Sequence, residues 1–345
     1  MESTQEVKVA ELKNAERQRA MEHWLYSACR MKYVSLEPMK GDASMRRYFR
    51  LSTADQTYVV MDAPPPQENC YTFIEISTAL RKMGLHTPEV MHADLSRGFL
   101  LLTDFGDATY LKTLTTANAD QLYQAALKDL AVLQHCRSVE GYLVPPFTAD
   151  FMWKEWAWYK EWMLSGLLGL SLPLAEKDLD LCYEQLVESA INQPQVFMHR
   201  DFHSANLMAL PDGNVGILDF QDAFIGPVTY DLVSLLRDCY IDWPQERVKT
   251  WALFYLQTLQ NNGVLNQTSE QEFLRWFDLM GIQRHLKALL TFSRKHVRDH
   301  QSQYLNYIPR TLNYLLRVSQ TYPELATLHD YLGVTVGPAF ERVMK

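Results

Sequence analysis

Long apolar runs are missing from this chain of 345 residues. Its most apolar stretch, Leu164 to Ala175, is broken by serine, glycine and proline, whereas a bilayer-spanning helix needs about 20 apolar residues. No membrane partner is therefore expected. The opening residues, MESTQEVKVAELKNAERQRA, are polar and helix-prone, without the apolar core of a secretory signal. Cysteine is scarce too. The five (Cys29, Cys70, Cys136, Cys182 and Cys239) are scattered and form no C-x-x-C pair, which argues against a disulfide framework or a zinc site. Free thiols in a cytoplasmic protein are the expectation. Positive charge is in deficit, with 33 Lys and Arg against 41 Asp and Glu and a formal net charge of −8. A nucleic-acid partner is not expected on that balance, because phosphate backbones are bound by basic surfaces. A local basic pocket for a small phosphorylated ligand remains compatible with it. Internal repeats and low-complexity segments are absent, and nothing points to an obligate protein partner.

What is present divides into two patterns, strands first and helices after, which gives an α+β class. Residues 1–30 read as a leading helical extension. Lys32–Glu37, Arg47–Ser52 and Gln56–Met61 carry the β-branched and aromatic residues of strands, with Gly41-Asp-Ala-Ser44 and Ala54-Asp55 as connections. Pro64-Pro65-Pro66 stops the sheet. A helix is predicted from about Asn69 to Lys82, ended by Gly84. Pro88–His92 and Gly98–Thr103 read as two further strands, and the unbroken apolar run after Gly98 implies burial on both faces. The predicted organisation is a sheet and helix over 31–103, a boundary at 104–107, and a helical region over 108–345. Leu122, Ala126, Leu130 and Leu133 carry the spacing of an amphipathic helix. The region Val196–Leu218 interrupts the helical pattern with two short strands flanking the turn Pro211-Asp-Gly-Asn214.

That interruption carries the chemistry. The chain reads Val196-Phe-Met-His199-Arg200-Asp201-Phe-His-Ser-Ala-Asn206, then a hairpin, then Val215-Gly-Ile-Leu-Asp219-Phe-Gln-Asp222. Phosphoryl transfer asks a protein for a carboxylate beside the acceptor hydroxyl and for oxygen ligands that hold magnesium against the phosphates. Asp201, Asn206 and Asp219 supply one base and two such ligands. H-R-D-x-x-x-x-N is also the catalytic-loop spacing of kinases. Each of the three alone is compatible with a loop residue that caps backbone amides; the complete set in order is not so easily explained. His199 fits either a brace for this loop or a direct participant in chemistry. His203 fits either substrate contact or solvation.

The same residues resemble the aminoglycoside phosphotransferase superfamily, whose loop reads like H-G-D-x-H-x-x-N followed by I-D-F/W. More narrowly, they resemble the bacterial N-acetylmuramate/N-acetylglucosamine anomeric kinases, through Gly41-Asp-Ala-Ser-Met-Arg-Arg-Tyr-Phe-Arg50, Val59-Val-Met-Asp-Ala-Pro-Pro-Pro66, and Leu218-Asp-Phe-Gln-Asp-Ala223 running into Gly226-Pro-Val-Thr-Tyr-Asp231. The resemblance implies a protein-kinase-like two-lobed fold, with a small β-rich N-lobe and a larger, mainly helical C-lobe. It implies ATP and Mg2+ as cofactors, Asp201 as catalytic base supported by His199, and Asn206 and Asp219 as metal ligands. Gly41, Asp42, Ala43 and Ser44 would lie over the nucleotide phosphates, and the hinge near Asp104 would meet adenine. Asp231 would hold the catalytic loop from below. An amino sugar is the implied small-molecule acceptor.

One residue that kinases usually carry is missing. The third-strand lysine that contacts the phosphates is replaced by Met61. Lys40, Arg46 or Arg47 is expected to supply that charge instead. The residues leave three readings open: an amino-sugar kinase; a related kinase for an aminoglycoside, a choline-like alcohol or a protein hydroxyl; and a nucleotide-binding pseudokinase. The aromatic run from Phe151 to Trp162 is expected to be core rather than a sugar-stacking platform.

Overall fold

The computed structural model describes residues 2–39, 46–171 and 176–345, with side chains from residue 14. Lys40 and the turn Gly41–Ser44 lie outside the described residues. The chain divides into two compact units: 1–78 with 88–106, and 79–87 with 107–345. The five described cysteines are free and buried. No described helix is long and apolar enough to cross a membrane.

The first unit is one antiparallel sheet with two helices. Its strands are β1 (Ser35–Pro38), β2 (Arg47–Ser52), β3 (Thr57–Asp62), β4 (Val90–Asp94) and β5 (Phe99–Thr103), in the order β1-β2-β3-β5-β4. The expected hairpin forms at Ala54-Asp55, closed by the Thr53 amide donating to the Gln56 carbonyl at 2.9 Å. β5 is buried from Phe99 to Leu102, as its unbroken apolar run predicts. Gly98 before it has φ +76° and lies so close to Ala63 that a Cβ would meet the Ala63 carbonyl oxygen at 1.9 Å. Only glycine fits there.

The leading segment is a single helix, α1 (Glu2–Ser27), and it belongs to this unit's core. Met21, Trp24 and Leu25 pack with Phe49, Leu51, Val60, Phe99 and Leu101. Each fully buried side chain of this size contributes about 1.5–3 kcal/mol. The fully buried carboxylate of Asp62 is gripped by Arg17 from α1 and by Arg47 from β2. Removing either kind of partner from a buried ion pair leaves an uncompensated charge, at a cost of about 3–5 kcal/mol. The helix α2 (Cys70–Lys82) begins in the first unit and ends in the second, where Gly84 at φ +88° closes it.

The second unit is mainly helical. Its helices are α3 (Tyr110–Thr113), α4 (Ala119–Leu133), α5 (Ala149–Tyr159), α6 (Glu176–Ile191), α7 (Tyr230–Leu236), α8 (Gln245–Asn261), α9 (Glu270–Val297), α10 (Ile308–Ser319), α11 (Ala326–Tyr331) and α12 (Gly337–Val343). Embedded among them are two ribbons: β6 (Gln195–Met198) pairs with β9 (Phe224–Pro227), and β7 (Leu207–Ala209) pairs with β8 (Val215–Ile217). The longest helix, α9, starts at a capping box in which Ser269 accepts from the Glu272 amide at 3.2 Å. It packs against α5, α6, α7 and α10. Within the aromatic run of α5, Trp156 and Tyr159 are core, at 2% and 1% exposed with Trp156 stacked on Tyr183 at 4.8 Å, whereas Trp158 is exposed.

Candidate functional site

The site is a loop slung between two ribbons. β6 ends at Met198, the chain crosses residues 199–206, and the β7–β8 hairpin returns it to Asp219. The Leu218 amide donates to the Asn206 carbonyl at 2.9 Å and closes the loop. Two residues here adopt left-handed backbone although neither is glycine: Arg200 at φ +81° and Asp219 at φ +63°. Such conformations cost about 1–3 kcal/mol each and persist only where the surroundings enforce them.

Asp231, at the start of α7, does the enforcing. Its fully buried carboxylate accepts the His199 amide at 2.7 Å and the Arg200 amide at 2.8 Å. Burial pushes this carboxyl up to about 7, against the two amides that favour its ionised form. The position is the one that the resemblance implied. A second brace comes from Asp238, which accepts from the amide and hydroxyl of Ser204 and, at 2.9 Å, from the Tyr240 amide. The strained Arg200 places its guanidinium 5.5 Å from the Phe151 ring and 5.1 Å from the Phe224 ring, and 3.7 Å from the buried Glu155 carboxylate. Gln283 of α9 donates to that carboxylate at 2.9 Å.

His199 is wholly buried and both its ring nitrogens are committed. Nδ1 faces the Asp201 amide at 3.3 Å, so Nε2 carries the hydrogen and donates to the Leu218 carbonyl at 2.9 Å. Burial depresses its pKa to about 4. The sign follows from linkage. The unfolded chain binds a proton at His199 below about 6.5 and the folded chain does not until about 4, so stability is fully present above about 6.5. It is lost as pH falls through that window, by up to about 3 kcal/mol from this one residue. Unfolding by urea between pH 7 and 4 is expected to show that slope. It should shrink in His199→Gln, and an unchanged slope in the variant would assign the acid loss to other groups.

Asp201 lies in the middle of the loop with one oxygen, Oδ1, 3.3 Å from Lys287 Nζ of α9. Burial would raise this carboxyl, but the charges of Lys287, His203, Arg200 and Arg284 outweigh it and hold Asp201 below the usual carboxylate range. Asn206 turns its amide nitrogen to the Asp201 carbonyl at 3.0 Å and to Asp219 Oδ2 at 3.3 Å. That orientation leaves Asn206 Oδ1 uncommitted. Asp219 Oδ1 accepts from Gln221 at 2.7 Å. Although Asp219 opens to solvent, surrounding protein raises its carboxyl, and the like charge of Asp201 adds to the effect. A carboxylate beside an amide oxygen, with a second carboxylate crowding it, suits a hard divalent cation that completes its shell with phosphates and water.

The sequence brings Asp201, Asn206, Asp219 and His199 together as its spacing predicts; Lys287, Glu155 and Gln283 join them from distant helices, and Asp238 from the segment that follows α7. Lysine and glutamate on amphipathic helices carry no local signal that separates such a role from solvation. In the first unit, Arg47 is engaged with Asp62, and Arg46 pairs with Glu68 at 2.9 Å. The Asp104 carboxylate is held by Arg50 at 2.7 Å and by the Gly106 amide at 2.8 Å.

Comparisons agree with this geometry. The sequence pattern of the family described as "Phosphotransferase enzyme family" matches residues 35–270. A protein from Pseudomonas aeruginosa named N-acetylmuramate/N-acetylglucosamine kinase is 42% identical over 302 residues, covering 87% of this chain and 88% of its own. A Neisseria meningitidis protein of the same name is 37% identical over 328 residues, covering 93% and 97%. Among solved structures, a choline/ethanolamine kinase family protein from Mesorhizobium loti superposes with a TM-score of 0.60 at 14% identity, covering 90% of this chain and 98% of that one. A choline kinase from Streptococcus pneumoniae gives 0.58 at 13% identity, covering 88% and 99%. These structural likenesses establish a kinase-like fold, with a small sheet unit and a larger helical one. With its catalytic-loop spacing realised in three dimensions and its length matched by such relatives, the chain is an enzyme belonging to the aminoglycoside-phosphotransferase-type phosphotransferase family.

Proposed function

We propose that this enzyme is an ATP-dependent sugar kinase that phosphorylates the anomeric hydroxyl of N-acetylmuramate or N-acetylglucosamine. Full-length similarity to relatives bearing that name supports the acceptor, and it is the observation that carries this reading. The electrostatics around Asp201 support it independently. Lys287, Arg200 and Arg284 crowd the carboxylate, so a cationic acceptor such as an aminoglycoside or a choline-like alcohol would meet repulsion, whereas a neutral or anionic sugar would not.

In this reading Asp201 orients the acceptor hydroxyl and takes its proton as the new O–P bond forms and the bond from the γ-phosphorus to the bridging oxygen breaks, leaving ADP. The depressed pKa suits the role, because the carboxylate stays ionised until the proton arrives. Asn206 Oδ1 and Asp219 would hold Mg2+, which when bound offsets charge on the β- and γ-phosphates. His199 positions the Asp201 amide through Nδ1 and stays neutral, with its one ring proton committed to the Leu218 carbonyl. Arg46, anchored by Glu68 beside the Gly41–Ser44 turn, is the candidate for the charge that Met61 lacks. The location inferred is cytoplasmic.

An ADP-release assay across amino sugars, followed by phosphorus NMR of the product, tests the acceptor. Turnover with an amino sugar and phosphate on the anomeric oxygen supports the proposal. Turnover with choline or an aminoglycoside alone, or nucleotide binding without turnover on any acceptor, removes it. For the phosphate contact, Arg46→Ala is expected to raise KM for ATP roughly tenfold or more with little change in sugar KM, since a charge-assisted hydrogen bond is worth about 1.5–3 kcal/mol. An unaltered ATP KM would move the role to Lys40.

A further inference from the structure

The face of α9 that meets Asp201 carries more positive charge than its surroundings neutralise. Arg284, Lys287, Thr291 and Arg294 follow at steps of three, four and three, which places them on one side of the helix. Lys287 is paired with Asp201. Arg284 is 5% exposed, yet its Nε and Nη1 have no hydrogen-bond partner among the described residues. Arg294 Nε is likewise buried without a partner. Neither guanidinium has a carboxylate within ion-pair distance among the described residues. The acids that act on them have other partners: Asp201 is paired with Lys287, Asp238 accepts the Ser204 and Tyr240 amides, and Asp299 pairs with Arg298 at 2.6 Å. Buried guanidinium donors without acceptors are costly, and each one calls for an explanation.

We propose that Arg294 binds a carboxylate carried by the acceptor sugar, with Arg284 and Lys287 extending the same cationic face toward Asp201. This rests on the amino-sugar reading above and refines it. Arg294 lies two helical turns, about 10 Å, beyond Lys287. An acceptor whose reacting hydroxyl rests at Asp201 can therefore direct a substituent on the far side of its ring toward Arg294. N-acetylmuramate differs from N-acetylglucosamine by one lactyl ether, which ends in a carboxylate. A guanidinium meets such a group through two parallel hydrogen bonds. Burial lowers the Arg294 pKa most, and Arg298 and Arg200 add to that against the opposing charge of Asp299. The face points to the acceptor rather than to the metal, because Lys287 meets Asp201 Oδ1 at 3.3 Å, whereas the Asp219 carboxylate is met by Asn206 and Gln221.

The test compares Arg294→Gln and Arg294→Lys with the parent enzyme on both sugars and on ATP, with thermal unfolding as the folding control. Expected for Arg294→Gln is a rise in KM for N-acetylmuramate that exceeds the rise for N-acetylglucosamine by about tenfold or more. The lysine variant should recover part of that difference. Equal rises for the two sugars, a rise confined to ATP, or no change overturns the subsite. Direct binding of the two sugars to the Mg2+-loaded protein, measured by calorimetry, separates this from the functional reading. If neither sugar is phosphorylated but the anionic sugar binds more tightly and loses that margin in Arg294→Gln, the subsite stands and the reaction assignment fails. If the margin is absent from the parent protein, the subsite fails.

Discussion

Asp201→Asn is expected to lower kcat by about 10²–10⁴, the range that a positioned general base contributes. Asparagine keeps the shape of the side chain, and its amide oxygen can still accept from Lys287, so the loop has no cause to rearrange. What it loses is the basic oxygen that takes the proton. KM for ATP should therefore stay within a few-fold, while thermal unfolding should move to a lower temperature, because Lys287, Arg200 and Arg284 lose the charge that they surround. Because the cations around it hold the Asp201 carboxyl low, the acid limb of the parent's pH–rate profile should not come from this residue. Steady-state kinetics with a nucleotide-binding titration checks the expectation. A variant retaining more than about a tenth of the parent kcat would transfer the base role elsewhere.

The second large effect is expected at Asp219. Asparagine is the informative replacement because it tolerates the left-handed backbone at φ +63° better than alanine does. Asp219→Asn replaces a carboxylate ligand with a weaker, neutral amide oxygen and removes the charge that draws the cation. A fall in kcat of about 10²–10³ is expected, of the size seen when one electrostatic stabiliser of a transition state is removed. The Mg2+ concentration for half-maximal rate should rise as well. The unliganded protein should lose little stability, since the substitution relieves the like-charge crowding with Asp201. Metal titrations of rate, set beside melting curves, separate the two effects. Collapse of both rate and melting temperature would make Asp219 a structural residue.

The sequence made the middle of the site legible because those residues depend on one local event, a strand-loop-hairpin whose spacing survives in the linear chain. Asp201, Asn206 and Asp219 sit where that spacing puts them. The strands of the sheet were legible for a similar reason, through alternation and turn residues, with β2 matched at both ends and the other boundaries shifted by no more than three positions. β9 was not, because Phe224-Ile-Gly-Pro227 is short and ends in proline; it becomes a strand only by pairing with β6. The helices after Pro323 were equally hidden behind Pro323, Gly333, Gly337 and Pro338. Lys287 and Asp238 were missed on other grounds. Each is an ordinary charged residue on or near a helix, and only tertiary packing turns it toward the loop. Arg200 stands where the family's typical loop has glycine. Its left-handed backbone is intelligible only with Asp231, Phe151, Phe224 and Glu155 in place.

The supports of the catalytic loop also have a direction along the chain. Asp231 lies 32 residues after His199, Asp238 lies 34 after Ser204, and Lys287 lies 86 after Asp201. On a ribosome the loop therefore emerges before every one of these supports, and a nascent chain ending short of α9 holds Asp201 without its cation and Glu155 without its Gln283 donor. Competence arrives late in synthesis, after the metal-binding residues have already left the tunnel. Chains that terminate early should thus lack a working base even where their sheet unit has folded, which couples activity to completion of the polypeptide.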